Sequence, residues 1–195
     1  MNCAVLSVLA AVIFSGLIWR VYGTQAFVLY MVTAFGAIAY LEAINYIEHY
    51  GLRREKKDNG EYEKVSIKHS WNSPHRISNY LLFKLQRHSD HHENSLKPYQ
   101  TLESLEDSPQ LSHGYSLTII MALFPSVWFA VMDPLVDEYS KLKTGMIDSE
   151  VRAKANKLIR MFIIEISLAS VVLCVANHFI LSMGEVYQSS QSFSL

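Results

Sequence analysis

Three imidazoles crowd into the eight residues "LQRHSDHH" between Leu85 and His92: His88, His91 and His92. Neutral imidazole is a good donor to transition metals, iron included. On a helix, positions i, i+3 and i+4 share one face, so the three rings point the same way with their nitrogens about one turn apart. That arrangement suits one or two metal ions. A solvated run of surface histidines has the same spacing, and HxxHH is too short a motif to separate the two readings.

A second stretch, "LEAINYIEHYGL" (Leu41 to Leu52), places Glu42, Asn45, Tyr46 and His49 at helical intervals on one polar stripe of an apolar segment. A carboxylate inside a membrane span is costly and usually faces the bundle interior or a wet cavity. The stripe therefore predicts that Glu42 and His49 look inward. A structural hydrogen bond would also explain Glu42, though not its shared face with His49. Glu48, beside His49, is placed to ligate, to orient a ligand or to reach water. A third stretch, "KHSWNSPH", gathers His69, Trp71, Asn72 and His75. These can fix ligand tautomers through hydrogen bonds, or serve capping and local packing. Asp90, between the clustered histidines, joins this supporting set. It forms no triad, because adjacent helical residues point in different directions. His113 and His178 stand alone and read as a membrane-surface histidine and a hydrogen-bonded bundle histidine.

Other chemistries are poorly served. GxSxG, GxGxxG and GxxxxGK[ST] are all absent. Cys3 and Cys174 lie in separate apolar segments, form no CxxC and suggest buried thiols rather than a disulfide. A net charge of -1 argues against a nucleic-acid partner.

The elements that must hold these residues are helices in a membrane. Met1 to Trp19 carries no charge, Gln25 to Ile47 is apolar apart from Glu42 and a few polar groups, and Met161 to Met183 is apolar apart from Glu165, Asn177 and His178. Each reaches the roughly 20 residues a spanning helix needs. The first two, joined by "RVYGTQ", read as a helical hairpin with Gly23 in its turn rather than as a cleaved leader. Ser116 to Met132 is shorter and broken by Pro125, and admits a span, a re-entrant segment or an interfacial one. Ten of the 17 lysines and arginines fall between Arg53 and Lys97, which puts that region on the cytoplasmic side or the matrix side of an organelle. Arg53, Arg54, Lys56 and Lys57 read first as anchors of that kind, and second as a face for an acidic partner. Asn59-Gly60 marks a turn. Ser73-Pro74 opens a helix expected to run through His92, with serine as N-cap and proline at the first position. Asp133 to Arg160 reads as an amphipathic or solvated helix feeding the last span. The expected fold is an all-α, integral membrane helical bundle of three to four hydrophobic helices with a polar, histidine-bearing helical cap. Its parts are a transmembrane hairpin (1–50), the cap (51–115) and C-terminal membrane segments (116–195).

Four motifs in order, "NYIEHYGLRR", "HSWNSPH", "LQRHSDHH" and "PYQTL", resemble the C-terminal half of the membrane-bound alkane 1-monooxygenases, from about Ala39 to about Val136. These belong to the histidine-rich diiron superfamily of membrane desaturases and hydroxylases. The resemblance implies a cytoplasmic cap on membrane helices and two irons that activate dioxygen to oxidise a terminal alkyl carbon. It also implies electrons from rubredoxin or a similar carrier. It maps His49, His88, His91 and His92 onto iron ligands and names no catalytic residue beyond them. Two further histidine boxes of the family, of the forms HExxHK and EHxxGHH, have no counterpart: no histidine precedes His49, so five of the family's iron ligands are absent. No rubredoxin-like cysteine pairs are present either. Three readings follow. The chain is one part of a monooxygenase whose missing histidines come from a partner chain, or a non-catalytic subunit of a larger membrane complex, or a metal-binding membrane protein of another kind.

Overall fold

Gly23 divides the first apolar stretch. In the computed structural model, which describes residues 2–142 and 147–192, helix α1 runs Cys3–His49 but breaks at Gly23 (φ 84°, ψ -179°). Only glycine adopts that backbone readily. The break reverses the chain. The rings of Phe14 and Tyr30 lie 5.8 Å apart edge to face, whereas sixteen residues of unbroken helix would separate them by about 24 Å. Trp19 Nε1 donates to Thr24 Oγ1 across the turn at 3.3 Å. The limbs expose Val12, Val21, Leu29, Val32 and Phe35. So large an apolar surface suits lipid. Glu42 is exposed as well, which differs from the inward orientation its stripe suggested.

The chain divides into two compact units after Glu48. The second opens with His49, a turn at Gly51, and a small hairpin around Asn59-Gly60. There Gly60 takes φ 83° and Lys57 N donates to Glu61 O at 2.8 Å. A bridge between Lys56 and Tyr62 closes it. Among the described residues β-structure is limited to isolated bridges, and the protein is an all-α membrane protein.

The single helix expected from Ser73 to His92 is instead two short ones, α2 (Arg76–Leu81) and α3 (His88–Glu93). Helix α2 ends in a Schellman-type cap. Lys84 N donates to Asn79 O at 2.7 Å, Phe83 N to Tyr80 O at 3.5 Å, and Phe83 takes φ 49°. Lys84 is also left-handed (φ 59°). The reversal is held by the fully buried Gln86. Its Nε2 donates to Ser73 O and His75 O, its Oε1 accepts from Tyr115 N, and its carbonyl accepts from Ser73 N. Helix α2 begins two residues later than Ser73-Pro74 would have it, with His75 as N-cap.

The stretch Ser116 to Met132 belongs to two helices, α4 (Tyr115–Ala122) and α5 (Pro125–Leu142). Pro125 opens α5, where its missing N–H costs nothing. Tyr115, Ile119 and Met121 of α4 and Trp128, Met132 and Leu135 of α5 are buried. So are Ile159 and Phe162 of α6 (Ser149–Ser192), which packs against α5. Asp133 to Arg160 is thus no continuous helix: α5 ends at Leu142 and α6 starts at Ser149. Asp148 Oδ1 caps α6 by accepting Glu150 N at 2.7 Å. Beyond Phe162, α6 exposes Leu168, Val172, Leu173 and Phe179. The hairpin helix α1 and Ser149–Met183 of α6 are long and apolar enough to cross a membrane. His178 is exposed on α6.

Candidate metal centre

His49, the last residue of α1, sits at the chain reversal. Gly51 takes φ 71° there, and a Cβ at this position would meet Val136 Cγ1 at 2.5 Å and Cγ2 at 2.6 Å. Close packing and a left-handed backbone both require glycine. The Tyr50 ring stands edge-on to Trp128 at 5.2 Å, and its hydroxyl donates to Asp133. Trp71, fully buried, donates Nε1–H to Tyr50 O at 2.8 Å, while Tyr115 donates its hydroxyl to Trp71 O. "EHYG" and "HSWN" are thereby knitted to α4 and α5.

The second arm is α3. Asn72, fully buried, accepts Ser89 N on Oδ1 at 2.9 Å, which satisfies one of the amide donors a helix N-terminus leaves open. Asn72 Nδ2 donates to Ser108 Oγ at 2.6 Å, and its backbone bridges to Pro109 O and Leu111 N. The "PYQTL" segment is clasped beneath α3. Lys84 Nζ donates to Gln100 O and Leu102 O, and Arg87 Nη1 donates to Leu102 O at 2.8 Å. Asp90 Oδ2 accepts from Lys97 Nζ and from Glu103 N, each at 2.7 Å.

These two arms bring His49, His88 and His92 together. One nitrogen from each lies within 4.8 Å of the others, and all three are half-buried. Ring centroids are 5.2 Å apart for His49–His88, 5.2 Å for His49–His92 and 4.4 Å for His88–His92. His49 Nδ1–H donates to His69 O at 2.7 Å, leaving Nε2 as the free lone pair. Metal-bound histidines commonly have their other nitrogen tied in this way. His92 Nε2 is buried without a hydrogen-bond partner. Burial, followed by the neighbouring His92, His49 and His91, pushes the His88 pKa down to about 3. Burial, followed by His49, His91 and His69, lowers that of His92. The His88 and His92 rings therefore stay neutral, at a point that disfavours protons. A donor set of this kind fits a transition metal such as iron.

The remaining candidates are placed differently. His91 is exposed, its ring 5.8 Å from His88 and 6.1 Å from His92, outside the tight trio. His69 commits both nitrogens elsewhere: Nδ1 accepts from Ser66 N at 3.0 Å and Nε2 donates to Glu63 Oε1 at 3.0 Å. Its backbone, not its ring, serves the cluster. His75 pairs with Ser73 Oγ at 2.8 Å and stacks on His113 at 6.1 Å. Asp90 anchors the following loop. Desolvation raises its pKa, but the Lys97 ion pair, the Glu103 amide and Arg87 outweigh this and the net shift is downward. Glu48 is buried. Spacing gave no signal for Ser70, Ser89 and Gln86, whose roles depend on a chain reversal that the motifs do not mark. A cleft of about 560 Å³, lined by Arg53, Arg54, Lys68 and Tyr139 among others, contains none of the trio.

Comparison with known proteins accords with this geometry. The sequence pattern of the fatty acid desaturase family matches residues 1–120. It therefore takes in the apolar hairpin, which the motif resemblance from Ala39 did not reach. The chain is 48% identical to alkane 1-monooxygenase 1 of Pseudomonas aeruginosa over 118 residues, 60% of this chain and 31% of that protein. It is 48% identical to alkane 1-monooxygenase 2 of Alcanivorax borkumensis over 124 residues, 64% of this chain and 32% of that protein. It is 25% identical to the xylene/toluene monooxygenase hydroxylase component of Pseudomonas putida over 118 residues, 60% and 30% of the two chains. It spans about a third of the length of these relatives. With its motifs folded around a trio of imidazoles and its matched stretch similar to the alkane 1-monooxygenases, the chain belongs to the fatty acid desaturase family.

Proposed function

We propose that this chain supplies part of the iron centre of an alkane-hydroxylase-like monooxygenase that oxidises the terminal carbon of alkyl chains. The observation that carries the reading is the convergence of His49, His88 and His92, with His92 Nε2 buried and unpaired. Iron bound there would supply dioxygen activation. The chain's own residues bind it through imidazole nitrogens, and the His69 carbonyl sets the His49 tautomer. His91, on the same face of α3, is the fourth ligand once a neighbouring segment covers it. Histidines of the HExxHK and EHxxGHH kind, from another polypeptide segment, complete the ligand set. A rubredoxin-like carrier delivers electrons. The basic stretch Arg53 to Lys97 faces the cytoplasm or an organellar matrix.

The test is reconstitution. Purified alone in detergent, the chain is expected to hold less than a full pair of irons. Combined with a membrane polypeptide carrying the two missing boxes, it should reach a full pair and convert a medium-chain alkane to its 1-alcohol. Full iron loading without alkane oxidation would refute the catalytic reading. The alternative is a non-catalytic membrane subunit, for which a stable iron-free complex inert to alkanes is expected.

A further inference from the structure

The two ligand-bearing arms share one brace. Residues 69–72 supply the carbonyl of His69 to His49 Nδ1–H at 2.7 Å, and the same four residues grip α3 through Ser89. Ser89 Oγ–H donates to Ser70 O at 3.0 Å. With its one proton so committed, Ser89 Oγ accepts from Ser70 Oγ–H at 2.9 Å. Ser89 N donates to Asn72 Oδ1 at 2.9 Å. Ser70, Asn72 and Ser89 are all fully buried. In a site closed to water these hydrogen bonds have no substitute partner, so losing one leaves an unpaired group or moves the helix. Ser89 follows His88 and lies three residues before His92. A shift of α3 at Ser89 therefore moves two ligands relative to His49. Asp90, the more conspicuous polar residue of the motif, faces away toward Lys97 and Glu103.

We infer that Ser89 is the positioning residue of the metal centre: its hydroxyl, locked to Ser70, sets the distance between His49 and the His88–His92 pair. The inference rests on the metal-binding reading above. Side chains that orient ligands in this way typically affect metal affinity by about 10- to 100-fold when removed.

The test uses the full chain in detergent, titrated with Co(II) and followed by its visible absorption, with helical circular dichroism as the fold control. Ser89→Ala should weaken Co(II) binding at least about tenfold and alter the band pattern while helicity is retained. Ser70→Ala, which removes the bond between the hydroxyls but leaves Ser89 Oγ–H on Ser70 O, should give a smaller loss in the same direction. Ser89→Thr, which keeps the hydroxyl, should recover affinity. Thr118→Ala, which removes a buried hydroxyl bonded within α4 to Gly114 O, controls for general loosening and should leave the titration unchanged. If Ser89→Ala binds Co(II) with wild-type affinity and spectrum, the positioning role is wrong while the metal site stands. An equal loss in Thr118→Ala also overturns it. If the wild-type chain takes up no Co(II), the metal reading fails and this inference falls with it.

Discussion

Gly51→Ala offers the sharpest structural test, because two separable penalties meet at one atom. The backbone there is left-handed (φ 71°), which costs a non-glycine residue roughly 1–2 kcal/mol. The new methyl would stand 2.5 Å and 2.6 Å from the two Val136 methyls, so α5 or the turn must move. Overpacking of this kind costs about 1–3 kcal/mol. The sum is a loss of about 2–5 kcal/mol, concentrated two residues from His49. Val136→Ala alone removes part of a half-buried side chain and should cost roughly 1 kcal/mol. In the double variant the clash is relieved to a 3.1 Å approach to the remaining Cβ while the backbone penalty stays, so its loss should fall short of the sum of the two single losses by about 1–3 kcal/mol. Denaturant titration in detergent, read by the fluorescence of the buried Trp71 and Trp128, gives all three numbers. Additive losses, or a Gly51→Ala loss below ~0.5 kcal/mol, would refute the packing argument.

Two further predictions concern the α3 region. Asp90→Asn should destabilise the 94–103 loop by about 1.5–3 kcal/mol at neutral pH, the worth of charge-assisted hydrogen bonds to Lys97 and Glu103. The folded state holds the Asp90 pKa below its ordinary 3.8, so this stability is present above that value. It is lost as pH falls through the lower folded pKa, and the gap between wild type and variant should close in strongly acidic buffer. Hydrogen exchange of the loop against pH measures it; a gap that widens on acidification would contradict the sign. His92→Ala should lower metal retention, and His178→Ala, exposed on α6, should leave metal content at wild-type level. Metal analysis after desalting decides, and the reverse pattern would void the ligand assignment.

The all-α class and the apolar spans were legible because long uncharged runs admit few other structures. Gly23 was legible as a turn because a single glycine sat between two such runs. What stayed hidden was the break between α2 and α3. Helix stops are usually signalled by glycine or asparagine at the left-handed position; here Phe83 and Lys84 occupy it, held by Asn79 and Gln86 from a distance. The spacing of His88, His91 and His92 survives the error, since even the six residues of α3 keep three- and four-residue neighbours on one face. Exposure does not follow from spacing, which is why His91 shares a face with the trio yet lies open to solvent. Glu42 shows the same gap: its stripe with His49 is real along the sequence, but burial depends on packing that periodicity does not encode. Asp133 to Arg160 misled because its mixed charge is continuous, while α5 stops at Leu142 and Asp148 caps a new helix.

The central claim is that imidazoles from the end of α1 and from α3 hold one ion between them. X-ray absorption of the zinc-loaded, purified chain reads this directly. The expected spectrum has nitrogen scatterers at about 2.0–2.1 Å with the outer-shell signature of three imidazoles, falling to two in His49→Ala. A shell of oxygen alone, or a spectrum unchanged by His49→Ala, would contradict it.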